Sequence, residues 1–185
     1  MIKRKNIGPS CYSTVLGLNK FKTCEELQHE IEVGYNANDQ KPNSAMNMGI
    51  SKEAEVIKLY ENVKNVKVKS ANWVRLSTTN NNNNNTDRIL GKADGLVNLD
   101  GGVEIKCHYG KQKPLCSVPL YHLVQILGYL HLYKREWWDL VSCCFNEKGE
   151  LGEYRIHRIY WKDYSRPWLE FWFPQIEIFI KSIKW

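Results

Sequence analysis

Gly91-Lys92-Ala93-Asp94-Gly95-Leu96-Val97, followed after a short turn by Gly102-Val103-Glu104-Ile105-Lys106-Cys107, is the stretch that decides the fold. Ile89 to Val97 and Val103 to Cys107 predict two strands. Between them Asn98-Leu99-Asp100-Gly101-Gly102 predicts a hairpin turn, with Asp-Gly-Gly supplying the positive-φ residues. Three charged groups on strands that otherwise read apolar need a physical reason. Alternation puts Glu104 and Lys106 on one face about 7 Å apart and turns Val103, Ile105 and Cys107 to the opposite, buried face. Antiparallel pairing can then bring Asp94 beside Glu104. Two carboxylates so placed repel one another unless a cation lies between them, and hard divalent ions prefer carboxylate oxygens, so a Mg²⁺ site solves the arrangement. Lys106 beside such an ion could orient or deprotonate a water and balance charge on a phosphoryl oxygen. The same three residues also fit a surface hairpin whose polar face carries a solvated ion pair, worth about 0–1 kcal/mol.

Working outward, Ser10 predicts a capped short helix to about Leu16, and Thr23-Cys24-Glu25-Glu26 has the capping-box pattern that opens a second helix to Val33. Gly34 to Asn47 reads as a loop and about Gly49 to Asn62 as a third helix. Val66 to Leu76 predicts a strand. The run Asn80 to Asn85 buries nothing and predicts a disordered loop at about 77–87. Ser117 and Pro119 then stand where a cap and first-turn proline belong, and Leu120, Leu123, Val124, Leu127 and Leu130 give a core-facing helix to about Tyr133. Trp137 to Phe145 and Tyr154 to Trp161 predict strands around a Glu147-Lys148-Gly149-Glu150 turn. A last helix spans about Ser165 to Lys184, disturbed near Pro174. Helices and strands mixed in this order predict an α/β (α+β) domain, a central mixed β-sheet flanked by helices.

The chain has 185 residues, 43% hydrophobic and 25% charged, which excludes collagen-like, disordered and membrane-spanning classes and predicts a single domain over 1–185. Twenty-six basic against twenty acidic side chains leave +6, which permits a polyanionic partner without demanding one. The basic start Met1-Ile2-Lys3-Arg4-Lys5 lacks the apolar run of a secretory signal, so an intracellular setting is expected. Six cysteines without a Cys-x2-Cys pair read as reduced thiols. Trp137, Trp138, Trp161, Trp168, Trp172 and Trp185 lie among Leu, Ile and Phe and read as packing residues before base-stacking ones.

Asp94-x9-Glu104-x-Lys106 resembles the signature of PD-(D/E)xK nucleases, and the wider chain resembles their phage lambda exonuclease, or YqaJ-like viral recombinase, branch. Four blocks carry the likeness: Ile7-Gly8-Pro9-Ser10-Cys11 through Gly17, Gly49-Ile50-Ser51-Lys52-Glu53 through Tyr60, the strand pair itself, and Tyr121-His122-Leu123-Val124-Gln125. The resemblance implies a restriction-endonuclease-like core. It implies that Glu53, Asp94 and Glu104, with the backbone carbonyl of Ile105, bind one or two Mg²⁺ or Mn²⁺ ions. Lys106 would activate water, and Gln125 would position the lysine or the scissile phosphate. Ser10, Lys3, Arg4 and Tyr121 are the implied DNA contacts, with Lys3, Arg4 and Lys5 where the family has a 5′-phosphate-binding arginine. Ala93 replaces the usual proline before the first Asp. The function implied is metal-dependent hydrolysis of DNA, at duplex ends, in viral or mobile-element recombination. A single-strand annealing protein and a homo-oligomer are the implied partners, in cytoplasm or a viral replication compartment. The alternative is a non-catalytic DNA-binding or recombination accessory module on the same fold.

Overall fold

A computed structural model describes residues 6–34, 44–76, 88–110 and 113–185, with backbone alone at 44–50. The expected Asn-rich loop at about 77–87 and the candidate DNA contacts Lys3 and Arg4 lie outside these residues. The elements in chain order are a tight turn Pro9–Cys11, α1 (Tyr12–Val15), α2 (Cys24–Glu32), α3 (Ser44–Lys64), β1 (Val68–Lys69), β2 (Val74–Arg75), β3 (Leu90–Gly91) and β4 (Gly95–Val97). They continue with β5 (Gly101–Tyr109), α4 (Leu120–Tyr133), β6 (Trp137–Phe145), β7 (Leu151–Tyr160), α5 (Trp161–Pro167), a wide turn Trp168–Trp172 and α6 (Phe173–Ser182).

Five strands form one mixed sheet in the order β1-β4-β5-β6-β7. β4 and β5 pair antiparallel as the hairpin requires, while β5 and β6 run parallel, joined through α4, with Glu104 level with Leu140 and Lys106 with Ser142. Each face has its own apolar layer. Val103, Ile105, Val141, Cys143 and Phe145 pack with Val56 and Tyr60 of α3. Trp138, Leu140 and Ile159 pack on the other face with Leu123, Val124 and Leu127 of α4 and with Trp168 and Ile176 near the C-terminus. The period-3.6 stripe predicted for α4 thus meets the sheet, and β6, apolar on both faces, lies buried between two layers. Trp137, Trp138 and Trp168 are buried, and Trp161, Trp172 and Trp185 pack against the core.

Several local expectations change. Ser10 makes no capping bond: it lies inside the Pro9–Cys11 turn, and α1 starts after Cys11 without a side-chain cap. Thr23 does form the reciprocal capping box with Glu26. α3 begins at Ser44, earlier than the polar composition implies. Pro119 is the N-cap of α4, one place before the position read for it, and Ser117 plays no capping part. The last helix starts at Trp161 and is split by the wide turn ahead of Pro174, which lacks an N–H and whose ring excludes the carbonyl four residues back.

The strand predicted over Val66 to Leu76 is two strands in two sheets. β1 pairs with β4, whereas β2 pairs with β3 in a separate ribbon. Ile89 to Val97 breaks in the same way, at Lys92-Ala93-Asp94. Tyr133 holds the facing breaks together: its hydroxyl donates to the Asn72 carbonyl at 2.6 Å and accepts from the Ala93 amide at 3.2 Å.

The hairpin glycines have a different purpose from the one read for them. Asn98 takes the left-handed conformation, φ +52°, while Gly101 and Gly102 are ordinary strand residues under the Trp137 and Trp138 rings. A Cβ on Gly102 would lie 2.4 Å from the Trp138 ring. Gly102→Ala is therefore expected to destabilise the protein by about 1–3 kcal/mol through overpacking, read as a lowered urea midpoint at unchanged slope.

Candidate active site

The interruption at Lys92-Ala93-Asp94 places a carboxylate at the open end of β4, and β5 presents Glu104 and Lys106 beside it. Asp94 Oδ2 accepts the Ile105 amide at 2.8 Å, so the side chain is fixed across the strand pair by the backbone of the very residue between Glu104 and Lys106. Glu104 is 3% exposed. Its Oε1 accepts from Lys106 Nζ at 2.6 Å and from Gln125 Nε2 on α4 at 2.7 Å. Sequence alone left a surface amide as a fair reading of Gln125; in the structure it donates to the same Glu104 oxygen that Lys106 holds.

Charge is concentrated here. Burial, with the Glu104 charge adding to it, pushes the Asp94 carboxyl up to about 8, against the pull of the Ile105 amide and Lys106. Glu53, half-buried on α3, is raised by burial and by Glu104, with Lys92 and Lys106 opposing. The three acids Glu53, Asp94 and Glu104 therefore feel one another. Burial works against the Lys106 ammonium, but Glu104 and Asp94 outweigh it and hold its pKa above the ordinary lysine value.

A cleft of about 490 Å³ opens beside these groups, lined among others by Glu53, Ser70, Lys92 and Asp94. A second cleft of about 270 Å³ adjoins it, lined by Ser10, Trp73, Lys92 and Tyr129 among others, so Lys92 is the wall between the two. Ser10 belongs to the second cleft. Tyr121, on the first turn of α4, has its ring against His122 at 4.4 Å and lines neither cleft.

The residues suit a hard divalent cation. Among the described residues Glu104 Oε2 is buried without a hydrogen-bond partner, and the crowded carboxylates supply the oxygen donors such ions take. Among the described residues no three His, Cys, Asp or Glu side chains stand ready-assembled around one cation position. In this state Glu104 Oε1 is held by Lys106 and Gln125 instead. Three of the five histidines are otherwise employed: His157 meets the Leu115 carbonyl, His131 accepts from Trp168, and His108 bonds Ser142.

One arrangement went unread in the sequence. Asp139, fully buried on β6, is held by Arg158 through two 2.8 Å bonds and by the Tyr60 hydroxyl at 2.7 Å. Tyr60 lies two helical turns beyond Glu53 on α3, so this network fixes the helix that carries the third acid. The signal was present: an Asp inside Trp137-Trp138-Asp139-Leu140-Val141 is a charge in an apolar strand.

Comparison with known proteins follows the same lines. The structure is similar to the alkaline exonuclease LHK-Exo from Laribacter hongkongensis, with a TM-score of 0.70 and 17% identity over 97% of this chain and 88% of that one. It is also similar to a phage-related exonuclease from Haemophilus somnus 129PT, with a TM-score of 0.65 and 15% identity over 95% and 90% of the two chains. At these identities the likeness establishes a shared fold. No curated protein matches the chain. The YqaJ-like viral recombinase domain matches residues 1–135, most of the chain and every acidic, lysine and glutamine position of the site. The chain belongs to the YqaJ-like viral recombinase domain family.

Proposed function

We propose that this protein is a Mg²⁺- or Mn²⁺-dependent exonuclease of the lambda type, hydrolysing phosphodiester bonds at duplex DNA ends during viral recombination. The observation that carries the reading is the buried junction of Asp94, Glu104 and Lys106 at a strand break beside an open cleft. Glu53, Asp94, Glu104 and the Ile105 carbonyl would hold the ion. When bound, it would supply Lewis acidity at a phosphoryl oxygen and lower the pKa of a water. Lys106 brings positive charge to the oxygens on which negative charge grows during displacement. Gln125 keeps Glu104 from swinging away, and Lys92 offers a cation to the phosphate backbone between the two clefts. Ser10, which lines the second cleft, would donate to a phosphate entering it. The family likeness supports a single-strand annealing partner, self-assembly and an intracellular setting as parts of this reading. The test is end-labelled linear duplex DNA with Mg²⁺ or Mn²⁺: progressive release of mononucleotides is expected, and a folded sample that cuts no linear, nicked or branched DNA would overturn the reading.

The acids give a second readout that needs no turnover. Asp94 binds its proton more tightly folded than unfolded, so between about pH 4 and about pH 8 the folded state holds more protons and stability falls as pH rises. Above that window both states are ionised and the loss is complete. Divalent ions relieve the same repulsion, so Mn²⁺ is expected to raise the melting temperature more at pH 8 than at pH 5. Asp94→Asn is expected to flatten both dependences; an equal Mn²⁺ shift at the two pH values would count against the site.

A further inference from the structure

Trp73 is the tryptophan that the core does not use. The other six are buried or packed on the apolar layers, whereas Trp73 is 65% exposed. Its backbone is nonetheless held on both sides. Ala71 is buried, the Asn72 carbonyl accepts the Tyr133 hydroxyl, and Val74 pairs with Gly91. Among the described residues its indole makes no ring contact. Phe21 and Leu99 are more exposed still, but neither lines either of these two clefts. Trp73 does: it lines the about 270 Å³ cleft together with Ser10, and Lys92 borders both that cleft and the one lined by Glu53 and Asp94.

An aromatic face on a fixed backbone, a hydroxyl and a cation together fit one chemical class, a nucleotide. The indole takes a base by stacking, which tolerates any sequence because every base has a π-face, and the ammonium takes the phosphate. Because Lys92 also borders the catalytic cleft, a strand whose scissile phosphate lies at Asp94 and Glu104 places its next nucleotide in the Trp73 cleft. We propose that Trp73 is the stacking platform for the base adjoining the scissile phosphate, with Lys92 neutralising the phosphate that links the two clefts. Tyr133 makes the platform pre-organised, since it ties the turn of Trp73 to the strand break that bears Lys92 and Asp94. The proposal rests on the nuclease reading for its location and on the cleft itself for its chemistry.

The test is a cycle of two proteins and two ligands, read by fluorescence anisotropy in EDTA. Labelled oligothymidylate and an abasic strand of equal length are titrated with the wild type and with Trp73→Ala. The variant is expected to lose roughly 5- to 100-fold in affinity for oligothymidylate and less than about twofold for the abasic strand, the range for removing one base–aromatic stack. Trp73→Phe should recover most of the difference, which a merely structural role would not predict. In turnover, Trp73→Ala should raise KM with kcat nearly unchanged. Equal losses on both strands, or none on either, overturn the stacking role. Cleavage by the wild type separates the two failures. Active protein whose Trp73→Ala binds normally keeps the nuclease and removes the platform. Inactive protein with a base-dependent loss keeps the platform and removes the nuclease.

Discussion

Lys106→Ala is expected to lower the first-order rate of DNA cleavage by about 10²- to 10⁴-fold, the range for losing a positioned catalytic group. The ammonium lies 2.6 Å from Glu104 Oε1 and is held above the ordinary lysine pKa by Glu104 and Asp94, so it arrives at the phosphate already charged. Single-turnover kinetics on an end-labelled duplex measures the loss without interference from product release. Lys106→Met separates charge from volume: it retains the stem and should be as slow as the alanine variant. Lys106→Arg should not rescue fully, because a flat, wider guanidinium cannot reproduce a point charge in a niche shared with Gln125. Mn²⁺ affinity, followed by calorimetry, should change far less than the rate, since Glu53, Asp94 and Glu104 remain. Wild-type cleavage by a folded Lys106→Ala sample would sink the assignment.

Arg158→Met is expected to be the most destabilising single change on β7, by about 3–5 kcal/mol, because it leaves Asp139 buried with only Tyr60 to face it. At the usual slope for a chain of this size that corresponds to a fall in Tm on the order of 6–20 °C. The guanidinium also lies 3.7 Å from the centre of the Trp137 ring, so the variant loses a packing contact as well as a charge. Removing both charges, Asp139→Leu with Arg158→Met, should recover much of the stability, since an apolar pair of similar volume needs no compensation. Chemical denaturation checks both. An Arg158→Met protein within about 1 kcal/mol of the wild type would show that water, and not the arginine, satisfies Asp139. The effect should reach function through α3, whose Tyr60 is in the network and whose Glu53 faces the cleft.

What the sequence made legible follows from periodicity and from misplaced charge. Glu104 and Lys106 stand out because β5 is otherwise apolar, and their shared face needs only the two-residue repeat of a strand. The α4 stripe and the Thr23 box are likewise local patterns. The breaks at Ser70 to Trp73 and at Lys92 to Asp94 are not local, because each depends on a hydroxyl supplied from Tyr133, dozens of residues away. Gly101 and Gly102 were readable as glycines but not as seats for two indoles, since the rings come from β6 across a helical crossover. Gln125 falls off the apolar stripe of α4, which left its partner open until the sheet beneath it was placed. Lys3 and Arg4 remain expectations from family likeness.

β5 is paired with β6 from Gly101 to Tyr109, but with β4 only from Gly101 to Val103. The peptide that carries Glu104 and Lys106 is therefore anchored by β6 on one edge and, on the other, by the Asp94 carboxylate on the Ile105 amide, so it cannot slide toward an incoming strand without parting from β6. Accommodation of substrate must come from rotation of the side chains, with Lys106 leaving its carboxylate, and from the periphery at α3 and the Lys92 crossing. A nuclease built this way fits its DNA by adjusting the rim around a rigid floor.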